Sequence, residues 1–152
     1  MPTVRVTSEP FDADVELSAF ARARRGAGAL ASFIGYCRED HEGKPIERLE
    51  LEHYPGFTEN EIVRFTQSIL ARRNLIDLLV VHRSGAVLAR APIVLVAALA
   101  RSRADAFGAV EELMDFLKTD APFWKRELTS AGARWVEPTN DDRSRRGRWS
   151  SE

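Results

Sequence analysis

Lysine is scarce in this chain of 152 residues: only Lys44, Lys118 and Lys125 among its 22 basic side chains, the other 19 being arginine. Two of the three stand seven positions apart in "LKTDAPFWKRE", residues 117–127. Cysteine is scarcer still. Cys37 stands alone, so no intramolecular disulfide can form and the chain suits a reducing compartment. No long apolar run is present, and the longest, Ala91–Ala100, is far too short to span a bilayer. The first residues, "MPTVRVTSEPFDADVE", lack the apolar core of a signal peptide. These absences predict a cytoplasmic protein that does not engage a membrane. The charge imbalance is also small, with a net of −1, so no global field favours nucleic acid. One cysteine and scattered histidines give no metal-site spacing. "GAGAL" lacks both the Lys-Ser/Thr of a P-loop and the spacing of a dinucleotide fingerprint.

What is present fits one soluble domain: 44% hydrophobic and 30% charged residues over a length that can bury a core. "TVRVT" alternates as a strand. Asp12–Arg25 is expected to be helical, with Val15, Leu17, Phe20 and Ala21 turned to a core. "ASFIGYCR" follows as a strand, and "REDHEGKP" as a mobile loop. "IERLELEHY" alternates as a strand with one wet face. Thr58 before Glu61 predicts a capped helix start, with Ile62, Phe65, Ile69 and Leu70 on its inner face. "LIDLLVV" and "PIVLVAALA" read as buried strands. Ser102–Lys118 reads as a second long helix, with Phe107, Val110, Met114 and Leu117 inward. Pro122 ends it near Thr119. "FWKRELT" and "ARWVE" close as a β pair. Residues 139–152 are polar and read as a flexible tail beyond a domain at 1–138. Irregular alternation with short connections favours an α+β fold with a mixed, largely antiparallel sheet and two main helices.

Several residues carry candidate chemistry. Lys118 at a helix end complements the dipole as any surface cation would. Lys125 reads alone as a solvated strand lysine. Brought together, two amines can bind an anion, and one can exchange a proton, because lysine loses proton affinity beside a second cation or in an apolar site. "RSRADAF" opens a helix with Ser102 as cap, where free N–H groups and Arg103 attract an anion, although Asp105 opposes one. Arg38 begins a loop after an apolar strand, a common place for binding residues. Cys37 reads as a small buried residue or a sulfur nucleophile. Arg143, Arg145, Arg146 and Arg148 with Trp149 form either a solvated arm or an RNA contact.

"LELEHYPGFTE", "MDFLKTDAPFWKRE" and "RWVE", in that order and spacing, resemble the catalytic (large) subunit family of molybdopterin synthase. With "FIGYCR" and "RSRADAF", the resemblance runs from about residue 3 to residue 137. It implies an α/β-hammerhead type of fold and a homodimer. Each protomer would bind a small ubiquitin-like sulfur-carrier subunit ending in Gly-Gly, giving a heterotetramer. Sulfur would pass from the carrier's C-terminal thiocarboxylate to cyclic pyranopterin monophosphate, building the molybdopterin dithiolene with no resident cofactor or metal. By position, Lys118 and Lys125 match the family's active-site lysines. Tyr36, Cys37, Arg38, Ser102, Arg103, Arg126 and Glu127 fall in substrate-binding segments. Ser102 stands where the family commonly has a histidine, and a serine carries no charge there. The family's C-terminal region can supply an arginine to a neighbouring protomer, and the segment after Glu137 singles none out. A module that binds a ubiquitin-like partner without catalysis is the alternative reading.

Overall fold

The computed structural model describes residues 2–22 and 25–149. Along the chain run β1 (Thr3–Thr7), α1 (Ala13–Ala21), β2 (Ala29–Tyr36), β3 (Asp40–His41), β4 (Lys44–His53) and α2 (Phe57–Arg72). There follow β5 (Leu75–Arg83), β6 (Gly85–Leu88), β7 (Pro92–Ala100), α3 (Arg103–Thr119), β8 (Phe123–Thr129), β9 (Gly132–Val136) and α4 (Asn140–Gly147). One sheet has the order β1-β5-β7-β2, and a second the order β3-β4-β8-β9 with β6 also on β4. β1 and β5 pair parallel, and the other pairs are antiparallel. The expected α+β class is the one observed.

The two apolar strands are central because both of their faces are covered, which continuous hydrophobic runs require. On β5 and β7, Leu78, Val80, Val96 and Ala98 pack with Ile62 and Ile69 of α2 and Leu113 of α3. Their neighbours Leu79, Val81, Leu95 and Ala97 face Phe20 of α1 instead. The period-2 alternation of a strand thus divides one run between two cores. A third cluster, with Cys37, Ile46, Leu49, Leu51 and Val87, underlies the second sheet.

Several expectations are corrected. The first helix ends at Ala21, and residues 23 and 24 of the expected span lie outside the described residues. Val15 and Phe107 are 63% and 65% exposed, so each lies on the outer face of its helix. "REDHEGKP" is ordered as the β3–β4 hairpin, its two-residue turn formed by Glu42 and Gly43 with φ of 52° and 80°. α2 begins one residue before Thr58, with Gly56 as cap, and Glu59 accepts a hydrogen bond from the Gly56 N–H. Thr58 is instead fully buried. Its hydroxyl accepts from the Tyr54 N–H at 3.0 Å and donates to the Pro122 carbonyl at 3.1 Å, tying the head of α2 to the corner after α3.

The polar tail holds α4, capped by Thr139 and docked on α3. Charge holds it rather than apolar burial. Arg148 donates to Glu111 (2.7 Å) and Asp115 (3.2 Å), Arg146 to Asp120 (2.9 Å), and the Trp149 indole N–H to Asp115 (2.7 Å). Residues 150–152 of the tail lie outside the described residues.

Candidate active site

Three elements meet at the corner after α3. The helix stops at Thr119 and presents Lys118 in its last turn, exposed to solvent. Pro122 turns the chain into β8, which pairs antiparallel with β4 and sets Lys125 opposite Leu51. Alternation along β8 then sends Phe123, Lys125 and Glu127 to one side and Trp124, Arg126 and Leu128 to the other. The first set lines a cavity of about 390 Å³ together with Lys118, Tyr36, Cys37 and Arg38. Ile46, Leu49 and Ile93 give it an apolar floor, and Val136–Thr139 with Asp142 close the remaining side.

Electrostatics inside the cavity are uneven. Burial first, and then the Lys118 charge, push Lys125 down to about 8, against the pull of Asp142. Lys125 therefore exchanges its proton close to neutral pH. Glu127 is buried. Burial pushes its carboxyl up, but hydrogen bonds from Arg38 (2.8 Å) and Arg134 (2.9 Å) outweigh burial and hold it below the usual carboxylate range. Burial, and then the Glu127 charge, push the Cys37 thiol up, which keeps it protonated and a poor nucleophile. Behind Phe123, the fully buried His82 ring stacks at 4.0 Å, and its Nδ1–H donates to the Arg83 carbonyl at 2.7 Å. Burial, and then Lys125, push His82 down to about 3, so it is a neutral wall rather than a further cation.

Of the residues singled out in the sequence, Lys118, Lys125, Tyr36, Cys37, Arg38 and Glu127 line this one cavity. Glu127, however, faces two arginines and serves them rather than an anionic ligand. Arg126 lies on the opposite side of β8, ion-paired with Glu50 and packed over Trp135. Ser102 caps α3, accepting from the Asp105 N–H at 3.3 Å, with Arg103 beside it. Fifteen residues at 1.5 Å per residue separate Arg103 from Lys118 by about 22 Å along the helix. One chain cannot bring both to one cavity. Trp124 is 42% exposed and meets Tyr54 edge-on at 4.8 Å, while Phe123 both lines the cavity and packs against the core.

The sequence reading missed Asp142 and the segment 136–139 as cavity wall. A signal for them exists in Thr139-x-x-Asp142, a capping pattern, and in Glu111 and Asp115 one turn apart on α3, opposite Arg145 and Arg148. Among the described residues no cluster of three metal-ligand side chains occurs. Nor is any helix long and apolar enough to cross a membrane.

A sequence model of a protein family described as "MoaE protein" matches residues 6–120. A molybdopterin synthase catalytic subunit of Cereibacter sphaeroides is 46% identical over 96% of this chain and 99% of its own length. The solved molybdopterin biosynthesis MoaE protein of Burkholderia ambifaria superposes with a TM-score of 0.83 at 40% identity, covering all of both chains. A protein–protein complex of subunits 1 and 2 of molybdopterin-converting factor from Helicobacter pylori shares the fold, at a TM-score of 0.71 and 20% identity over 89% of each chain. With its family pattern, near-complete overlap and common fold, the chain belongs to the MoaE family, whose curated relatives are molybdopterin synthase catalytic subunits.

Proposed function

We propose that this chain is the catalytic subunit of a molybdopterin synthase. It moves sulfur from the C-terminal thiocarboxylate of a small ubiquitin-like carrier to cyclic pyranopterin monophosphate, and two such transfers make the molybdopterin dithiolene. The observation that carries this reading is the convergence of Lys118, Lys125 and Arg38 on one half-apolar cavity. Both reactants are anions, and cations fixed in place beforehand stabilise such charge better than freely reorienting solvent does. The exposed Lys118 meets the carbonyl of the arriving carrier tail. Half-buried Lys125 balances charge at the pterin carbon and supplies the proton as oxygen leaves. A sulfur–carbon bond forms there as the carbon–oxygen bond breaks. Sulfur then leaves the carrier's acyl carbon, water takes its place, and the carrier ends as a carboxylate.

The scheme needs no resident cofactor. Tyr36 and Arg38 hold the substrate at the mouth of the cavity, Cys37 lines it without reacting, and Glu127 aims Arg38. Ser102 and Arg103 enter only through a second copy of the chain in a homodimer, and two copies with two carriers make a heterotetramer. Such chemistry belongs in the cytoplasm, where cysteine stays reduced.

The test is reconstitution from the protein, the thiocarboxylated carrier and the pterin precursor. Molybdopterin is expected with the unaltered chain, and a loss of about a hundredfold or more with Lys118→Ala. Near-normal product from Lys118→Ala removes the catalytic assignment. A tight complex that makes no product with the unaltered chain favours the non-catalytic module.

A further inference from the structure

The charges around Lys125 arrive from several elements. Lys118 comes from α3, Arg38 from the segment after β2, and Glu127 from β8 itself. His82 of β5 lies behind Phe123, with His53 of β4 beyond it. Glu137 and Asp142 come from the C-terminal segment. The cavity therefore holds three carboxylates. Glu127 engages both oxygens with Arg38 and Arg134. Glu137 is exposed.

Asp142 differs from both. It is partly buried in the cavity wall, and its position is set twice over. Its N–H donates to the Thr139 hydroxyl at 3.0 Å, and its carboxylate accepts from the Thr139 N–H at 2.9 Å. The helix that carries it is clamped to α3 through Arg146 and Arg148. A fixed carboxylate thus shares a cavity with two amines. Within it, burial and Lys118 work against charge on Lys125, and Asp142 works for it.

We propose that Asp142 is a positioning residue of this site: it is the counter-charge that the C-terminal helix brings to the lysine pair, and it keeps Lys125 charged before an anionic reactant arrives. It acts through Lys125 rather than on the substrate. Its effect on turnover rests on the sulfur-transfer reading, but its effect on Lys125 does not.

The scarcity of lysine makes the test direct. Lysine labelled with carbon-13 at Cε gives one resonance for each of Lys44, Lys118 and Lys125, assigned with Lys44→Arg and Lys125→Arg. The Lys125 midpoint is expected near 8 in the unaltered chain. In Asp142→Asn it should fall by about half a pH unit, as expected for one opposite charge removed across a wet cavity. Asparagine keeps an oxygen to accept the Thr139 N–H, so the cap survives while the charge is lost. Asp142→Glu restores the charge and should restore the midpoint. An unchanged midpoint in Asp142→Asn overturns the proposal, and so does Asp142→Glu shifting as far as Asp142→Asn. In the reconstituted assay the alkaline fall in rate should move down with the resonance. A shifted resonance in a chain that never makes product keeps the counter-charge and removes the sulfur-transfer reading.

Discussion

Glu127→Gln is expected to loosen both the fold and Arg38. The Glu127 side chain is only 6% exposed, and its two oxygens accept from Arg38 at 2.8 Å and Arg134 at 2.9 Å. Glutamine keeps one acceptor and turns an NH₂ group toward the other guanidinium. One charge-assisted hydrogen bond weakens, and the other becomes donor against donor. A sheltered hydrogen bond to a charged group contributes about 1.5–3 kcal/mol. Both arginines are about half exposed, so water offsets part of the loss and the net cost is about 2 kcal/mol. In a domain of this size each kcal/mol moves the melting temperature by about 2–4 °C, so a fall of about 4–8 °C is expected at neutral pH.

The pH dependence has a definite sign. A carboxyl whose folded pKa is depressed contributes stability above its unfolded value, about 4.3, and loses it as pH falls through the folded value. The gap between the two proteins is therefore full at neutral pH and closes in acid. Thermal unfolding followed by circular dichroism across pH measures it. In the reconstituted assay the KM for the pterin should rise more than kcat falls, because Arg38 loses its aim. A melting temperature within about 1 °C of the unaltered chain, with KM unchanged, would refute the reasoning.

Two further predictions follow from the same cavity and its wall. With Lys125 titrating near 8 and needed in its charged form, product formation should drop about tenfold between pH 7 and pH 9. Arginine keeps its charge throughout but is a far poorer proton donor, so Lys125→Arg should be slower and its residual rate should lack that fall, and a limb that persists at the same midpoint belongs to another group. Trp149→Phe removes the indole donor from the buried Asp115 and should cost about 1 kcal/mol, read as a lower melting temperature. Amide exchange in α4 should speed up in this variant, and also in 1 M salt, where charges are screened beyond about 3 Å. Strands β5 and β7, held by apolar packing, should change far less.

Much of this organisation is legible in the chain. "PIVLVAALA" and "LIDLLVV" have the length and apolar continuity of strands covered on both faces, and they lie at the centre of the sheet. Pro122 is enough to end α3 and begin the corner that carries both lysines. The errors share a cause. Thr58 has the chemistry of a helix cap, yet a tertiary partner, the Pro122 carbonyl, claims its hydroxyl. "REDHEGKP" has loop composition, yet Glu42 and Gly43 adopt positive φ and close a hairpin. Phe107 and Val15 fit an apolar stripe, yet each lies just outside the arc that its sheet covers.

The sequence by itself determined which residue types were available: two tunable amines beside a helix stop, arginines elsewhere, one cysteine, and a family pattern linking them. Local rules of period, capping and proline geometry act over a few residues, so they could be read in order along the chain. Only the tertiary structure decided which side chains share a space. Alternation on β8 turned Arg126 away and Glu127 in, helix length kept Arg103 from Lys118, and an acidic ladder on α3 drew in α4 with Asp142. These outcomes depend on contacts between segments far apart in the chain, and no local pattern contains them.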